Sequence, residues 1–273
     1  MAEVRVGISG WAYPGWRGDF YPAGLVHRRE LEYAASRMTS IEINGSFYAL
    51  KTPDSFARWR DETPDDFVFA VKGGRYITHM KRLRDVGTAL ANFFASGPLA
   101  LHAKLGPILW QLPPTLAFDA SRVAEFLAAL PRTTTAAAAL AEHHDDKVPA
   151  DSALTFADAP RPVRHALEVR HTSFADPAAV ALIEQHDVAL VVADTAGRYP
   201  MFDRCTSDFM YVRLHGDTEL YASGYGDRAL DAWATRIGGW SADGLDVFVY
   251  FDNDEFGRAP FDAMALRSRL GGG

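Results

Sequence analysis

The 273-residue chain has one cysteine, Cys205, so no disulfide can form within it. It has no apolar run approaching the ~20 residues that a membrane-spanning helix needs. No charged and apolar signal core precedes the β-branched run Val4–Ile8, and the expectation is a cytoplasmic protein with no membrane partner. An excess of positive charge is missing too, since 28 Lys and Arg stand against 35 Asp and Glu for a formal charge of −7. That disfavours a surface which grips nucleic acid throughout, although a local basic cleft can exist inside an acidic protein. No Gly-x-Gly-x-x-Gly follows the first apolar run, so a dinucleotide-binding fold has little support and no nucleotide cofactor is indicated.

What is present is core material: 48% of residues are hydrophobic, including 17 Phe and 6 Trp. Eight short apolar or β-branched segments read as strands, at Val4–Ile8, Ser40–Ile43, Phe67–Val71, Pro107–Gln111, Arg164–Val169, Ala189–Ala193, Phe209–Leu214 and Asp246–Phe251. Most are separated by helical patterns, among them Pro53–Glu62, Ser121–Leu130 behind an Asp119 cap, Pro177–Gln185, Arg228–Trp240 and Ala259–Leu270. Residues 75–101 read as mostly helical after His79. Eight such units predict an α/β fold, a TIM-like (β/α)8 parallel barrel forming a single domain over 1–273. An Ala- and Thr-rich surface excursion at about 131–163 interrupts it, with a surface helix expected at Ala136–Ala141. The following His143-His144-Asp145-Asp146 reads as a charged helix end in water rather than a metal site. The closing Gly271-Gly272-Gly273 reads as a disordered end or a cloning remnant.

The stretch Ser40–Lys51 carries Glu42 and Asn44 two apart, so on a strand both would face the same way while Ile41 and Ile43 face apolar packing. Burying an unpaired carboxylate is costly, so such a pair is either hydrogen-bonded structure or a site. Nearly every expected strand ends in the same manner. Ser9 stands beside Trp11; Lys72 is followed by Arg75 and His79; Gln111, then Glu168 and Arg170, then Asp194, end later strands. Arg213 and His215, and finally Asp252, Asn253 and Asp254, close the last two. Taken singly, each reads as a helix cap or a loop ion pair; together they predict a pocket, because barrel strands bring their C-terminal ends to one face.

Alternation places Tyr211, Arg213 and His215 on one face of their strand, and Glu168 with Arg170 on one face of theirs. Lys72, Arg170 and Arg213 exceed what Glu42 and Glu168 need for pairing, which points to a small anionic ligand. The catalytic candidates are Glu42 or Glu168 as general base and His79 or His215 as general acid, with Ser9, Trp11, Asn44, Tyr48, Lys72, Gln111, Arg170, Asp194, Arg213 and Asn253 as binding residues. A divalent metal on Glu42, Glu168, Asp194, His79 and His215 is disfavoured by the neighbouring Lys and Arg and by the absence of a local His-x-x-x-His spacing. Trp11, Tyr13, Trp16, Phe47 and Tyr48 read either as a packed lid or as a stacking wall for a sugar or nucleobase.

These motifs, in order Gly7-Ile8-Ser9-Gly10-Trp11, Trp16-x-Gly18-x-Phe20-Tyr21-Pro22, Glu42-Ile43-Asn44-Gly45-Ser46-Phe47-Tyr48, Phe67-x-Phe69-Ala70-Val71-Lys72, Thr78-His79, Gln111-Leu112-Pro113-Pro114, Glu168-Val169-Arg170-His171, Val212-Arg213-Leu214-His215-Gly216 and Tyr250-Phe251-x-Asn253-Asp254, closely resemble the YecE-like family, a bacterial domain of unknown function. The resemblance implies a TIM-like barrel with these motifs at its C-terminal face and no established activity. Three functions stay open: an enzyme on a small anionic, phosphorylated or sugar-like compound; a nucleic-acid-binding or endonuclease-four-like phosphodiester-processing protein; and a non-catalytic sensor. Neither the oligomeric state nor any cofactor is indicated.

Overall fold

A computed structural model describes residues 2–271, so the last two glycines of the closing run lie outside the described residues. Its strands are β1 (Val4–Ser9), β2 (Ser40–Ile43), β3 (Val68–Lys72), β4 (Leu105–Gln111), β5 (His165–Glu168), β6 (Ala189–Leu190), β7 (Val192–Asp194), β8 (Phe209–Leu214) and β9 (Asp246–Phe251). The helices are α1 (Glu30–Ala35), α2 (Gly45–Tyr48), α3 (Pro53–Asp61), α4 (Gly87–Ala95), α5 (Ala120–Ala128), α6 (Thr134–Ala141), α7 (Pro177–Gln185), α8 (Asp227–Ala242) and α9 (Ala259–Arg269). The fold is α/β of the TIM-like parallel-barrel class, as the alternation of strand and helix predicts. Among the described residues no helix is long and apolar enough to cross a membrane.

The chain forms two compact units, one from the segment ending at Glu42 together with the segment from Ala189 onward, the other from Ile43 to Val188. In the first, β1 pairs with β2 and β9, and β8 with β9 and β7, all parallel. In the second, β4 pairs in parallel with β3 and β5. The long loop after β1 is fixed by an aromatic cluster: Trp16 is buried against Tyr13, Phe20 and Tyr21 at ring distances of 4.6, 5.7 and 6.0 Å, and Phe20 reaches Tyr33 of α1 at 5.4 Å. Of the aromatic residues expected at a lid, Trp16 is therefore core.

Three expectations are corrected. The expected strand Ala189–Ala193 is two pieces, β6 and β7, because the Leu190 N–H donates to Thr206 Oγ1 at 2.8 Å and is lost to the ladder. The expected helical run after His79 is a π turn at Tyr76–Met80, then irregular chain in which Arg82, Leu83 and Asp85 take positive φ, and only then α4. Finally α6, expected on the surface, exposes Thr135, Ala136 and Ala139 but turns Ala137, Ala138 and Ala141 inward to pack on α4, which methyl side chains allow closely.

Within the second unit, Trp110 is fully buried and its Nε1–H donates to His165 Nδ1 at 3.1 Å. His165 Nε2 then donates to the Pro131 carbonyl at 2.8 Å, and burial pushes this imidazole down to about 3, so it is neutral.

Gly7 marks the tightest approach of β1 to β2. A Cβ there would lie 1.8 Å from the carbonyl oxygen of Ser40, its register partner. Gly7→Ala must therefore separate two paired strands, and about 3 kcal/mol or more of stability should be lost. Equal urea midpoints for variant and parent would refute this.

Candidate functional site

Two clusters of charged side chains form at the C-terminal ends of strands, one in each unit. In the first unit Glu42, fully buried in β2, accepts four hydrogen bonds. Ser9 Oγ at 2.8 Å and Arg213 Nη2 at 2.8 Å donate to Oε1, and Tyr211 Oη at 2.7 Å and Arg213 Nε at 3.1 Å donate to Oε2. Register explains the meeting, since Ser9 on β1 is the direct partner of Glu42 on β2. Tyr211 and Arg213 lie two apart on β8 and share a face, as alternation predicts.

The Arg213 guanidinium, itself fully buried, also donates from Nη2 to Asp252 Oδ2 at 2.8 Å, and His215 Nδ1 lies 3.1 Å from the same oxygen. Burial, with the Glu42 charge behind it, pushes the Tyr211 phenol up, so it stays a neutral donor. Asp254 is pushed well above the usual carboxylate range, first by burial and then by the Asp252 charge, and its Oδ1 is buried with no hydrogen-bond partner.

In the second unit Lys72 ends β3, Gln111 ends β4 and Glu168 ends β5, with Gln111 and Glu168 register partners; all three are buried. Arg170 is nearly buried and its Nε donates to Glu168 Oε1 at 2.7 Å. Lys72 Nζ sits 4.5 Å above the Phe47 ring, and His79 meets the same ring edge-on at 5.1 Å. Ser46 Oγ donates to the Lys72 carbonyl at 2.6 Å and ties α2 to the end of β3. His79 is half-buried, and its pKa falls to about 4 through desolvation and then through the charges of Lys72, Arg170 and Arg75, against one opposing carboxylate, Glu168. It is a neutral imidazole at pH 7, with Nδ1 2.9 Å from Thr78 Oγ1.

The remaining expected residues stand apart from these clusters. Asn44 has helical backbone angles (φ −85, ψ −24) ahead of α2 and has left the strand, so the expected shared face with Glu42 does not exist; its Oδ1 is buried without a hydrogen-bond partner. Asn253 donates to the Ser223 carbonyl and to Asp262 Oδ2 at 3.0 and 2.8 Å. Asp194 accepts from Tyr225 Oη at 3.1 Å, and burial raises its pKa. Both hold the loop before α8, because the Tyr225 amide also donates to Asp262. Trp11 is half-buried, with its carbonyl bonded by Tyr21 Oη at 2.6 Å, and Tyr48 is exposed against Phe47.

The sequence places Asp252, Asn253 and Asp254 together at a strand end, but only Asn253 is expected to bind. The two-residue spacing Tyr250, Asp252, Asp254, continuing the inward face of β9, was the available signal for both acids. Tyr211 stands on the Arg213 face of β8 as alternation predicts, but its bond to Glu42 is not visible in the sequence. Among the described residues no three of His, Cys, Asp and Glu come together as a metal-holding group.

A family described as "Protein of unknown function DUF72" matches residues 5–273. The chain belongs to that family. Among its relatives, the UPF0759 protein YecE of Escherichia coli (strain K12) is 32% identical over 113 residues, 41% of this chain and 38% of that protein. The UPF0759 protein YunF of Bacillus subtilis (strain 168) is 28% identical over 116 residues, 41% and 40% of the two chains. The alignments thus span about two fifths of these relatives' length. A solved DUF72 family protein from Thermotoga maritima MSB8 superposes with a TM-score of 0.78 at 24% identity, over 98% of this chain and 99% of that one. Another from Enterococcus faecalis V583 gives 0.74 at 15% identity, over 98% and 95%. The resemblance to the YecE-like group is borne out, and these DUF72 structures share the fold.

Two outcomes follow for the first cluster. Glu42→Gln leaves Arg213 buried with one carboxylate fewer, so stability should drop by about 3 kcal/mol in urea unfolding; an unchanged midpoint would show that the pair contributes nothing net. Asp254 behaves differently. Its native pKa lies above the unfolded 3.8, so in that window the native state keeps a proton that the unfolded chain has released, and stability falls as pH rises. Asp254→Asn should remove this slope and be the more stable protein near neutrality, with the advantage shrinking toward pH 4. Parallel stability–pH curves for the two proteins would count against a protonated Asp254.

Proposed function

We propose that this DUF72 chain is an enzyme acting on a small anionic compound, phosphorylated or sugar-like, bound at the Lys72–Arg170 cluster of the second unit. The observation that carries the reading is geometric: Lys72 and His79 meet on the Phe47 ring, at 4.5 and 5.1 Å, with the Arg170–Glu168 pair at the end of β5 supplying a second cation. Three cations and one carboxylate act on that imidazole, so the local field is positive when no ligand is bound. Lys72 and Arg170 are the anion-holding groups, and Gln111 supplies a neutral partner beside them.

His79 moves the proton. As a neutral imidazole it is a base rather than an acid, and at a pKa of about 4 it is a weak one. A bound dianion offsets the charges of Lys72, Arg170 and Arg75, which raises the His79 pKa toward neutrality and strengthens the base when substrate is present. Glu168 neutralises Arg170 and orients it. Glu42, named above as a candidate base, has both oxygens occupied by donors and serves instead to fix Arg213. Arg213 in turn is committed to Glu42 and Asp252 and is not assigned to the anion.

Inorganic phosphate should therefore protect the protein against heat, by about 2.7 kcal/mol at a hundredfold excess over Kd. Lys72→Met should lose that protection, whereas His79→Gln should keep it, because the imidazole handles the proton rather than the anion. A phosphate effect no larger than that of chloride at equal ionic strength, or one retained in Lys72→Met, would overturn the reading.

A further inference from the structure

Beside the Lys72–His79 cluster the second unit carries a cavity of about 410 Å³, within the range of small-molecule sites. Its walls are Phe47, Tyr48, Leu50, Tyr76, Met80 and Phe93. Nine large apolar side chains are exposed among the described residues, and four of them, Tyr48, Leu50, Tyr76 and Met80, line this one cavity. Scattered exposure of this kind is ordinary on a protein surface, whereas concentration in a concave site is characteristic of ligand binding.

The charged residues in the lining are both cations, with Asp145 behind it on Asn92. Arg75 and Lys147 line it, and among the described residues no acidic residue does. Lys147 Nζ lies 4.8 Å above the Tyr76 ring and braces it as one wall. Asn92, the remaining amide in the lining, donates to Asp145 Oδ1 at 2.8 Å and accepts from the Asp145 amide at 2.9 Å, so its side chain is already engaged.

Two residues connect the cavity to the anion cluster. Phe47 lines the cavity and also carries Lys72 and His79 on its ring. Arg75 lines the cavity and is one of the cations acting on His79. The π turn at Tyr76–Met80 makes the junction: Tyr76, Ile77 and Met80 line the cavity, and His79, between them in sequence, packs on Phe47.

From this geometry we infer that the ligand of the site is a phosphorylated compound bearing a flat aromatic group, with the anion on Lys72 and Arg170 and the ring in the cavity among Phe47, Tyr76 and Met80. The inference rests on the anion reading above and adds the part of the ligand that does not carry charge. The aromatic walls stack on a planar group, Met80 adapts to its edge, and Arg75 stands where the apolar and anionic parts of such a ligand would join.

The test compares inorganic phosphate, (naphthalen-1-ylmethyl)phosphonate and 1-naphthalenemethanol by thermal shift, the phosphonate being chosen because its C–P bond resists hydrolysis. Half-maximal protection by the phosphonate is expected at roughly a tenfold lower concentration than by phosphate, since burying the ring adds apolar area. Naphthalenemethanol, lacking the anion, should protect far less than the phosphonate. In a Tyr76→Ser, Met80→Ser double variant, where both exposed side chains are shortened without a change of charge, phosphate should protect as before and the phosphonate should fall to its level. A phosphate shift without any phosphonate advantage, a phosphonate advantage that survives the double variant, or an equal response to naphthalenemethanol would overturn the cavity inference and leave the anion reading standing. No response to phosphate would overturn the anion reading, and this inference with it.

Discussion

A guanidinium with no solvent exposure is the constraint around which the first unit is arranged. Desolvating one ion costs several kcal/mol even after relaxation, and attraction to a single carboxylate recovers that only when the geometry is good and the other donors and acceptors are filled. Here Glu42 meets Arg213 through two nitrogens, Ser9 and Tyr211 fill the remaining acceptor sites of Glu42, and Asp252 takes a further guanidinium hydrogen. Ser9, Glu42, Arg213 and Asp252 come from strand ends or just beyond, and Tyr211 from the middle of β8, so the pairing of β1 with β2 and of β8 with β9 must be correct before the charges are satisfied. The network therefore selects register as well as contributing energy.

The second unit solves a different electrostatic problem. Arg170 has Glu168 close by, and burial together with the charges of Lys72, Arg170 and Arg75 keeps the His79 imidazole neutral. The two clusters thus divide two tasks. Where opposite charges are matched and every lone pair of the central carboxylate is used, rigidity results; where cations are held near a titratable imidazole, its neutral form is favoured.

The residues that were legible in the sequence are those whose position follows from period. Alternation along Tyr211, Arg213 and His215 placed three side chains on one face, and the Glu168–Arg170 pair obeyed the same rule. What escaped depends on contacts remote in sequence or on a local change of backbone. Thr206 takes the Leu190 amide from 16 residues away, and nothing near Leu190 announces it. Asn44 turns into helical angles one residue after β2 ends, which removes it from the period that predicted its direction. Asp252 and Asp254 are visible as strand-end acids, but that one pairs with Arg213 while the other is held protonated follows only from the folded contacts. The alanines of α6 carry no periodic pattern, so only packing on α4 decides which of them is inside.

The π turn at Tyr76–Met80 closes through the Lys81 amide to the Tyr76 carbonyl, spanning five residues where an α-helical turn spans four. The direction in which His79 projects is therefore encoded by a count of residues as much as by their identity. Removing one residue would let the turn relax to α-helical winding and rotate everything after the deletion by about 100° around the local axis. Natural variation across this segment should accordingly tolerate exchanges of side chain more readily than changes of length, an asymmetry opposite to that of ordinary surface loops.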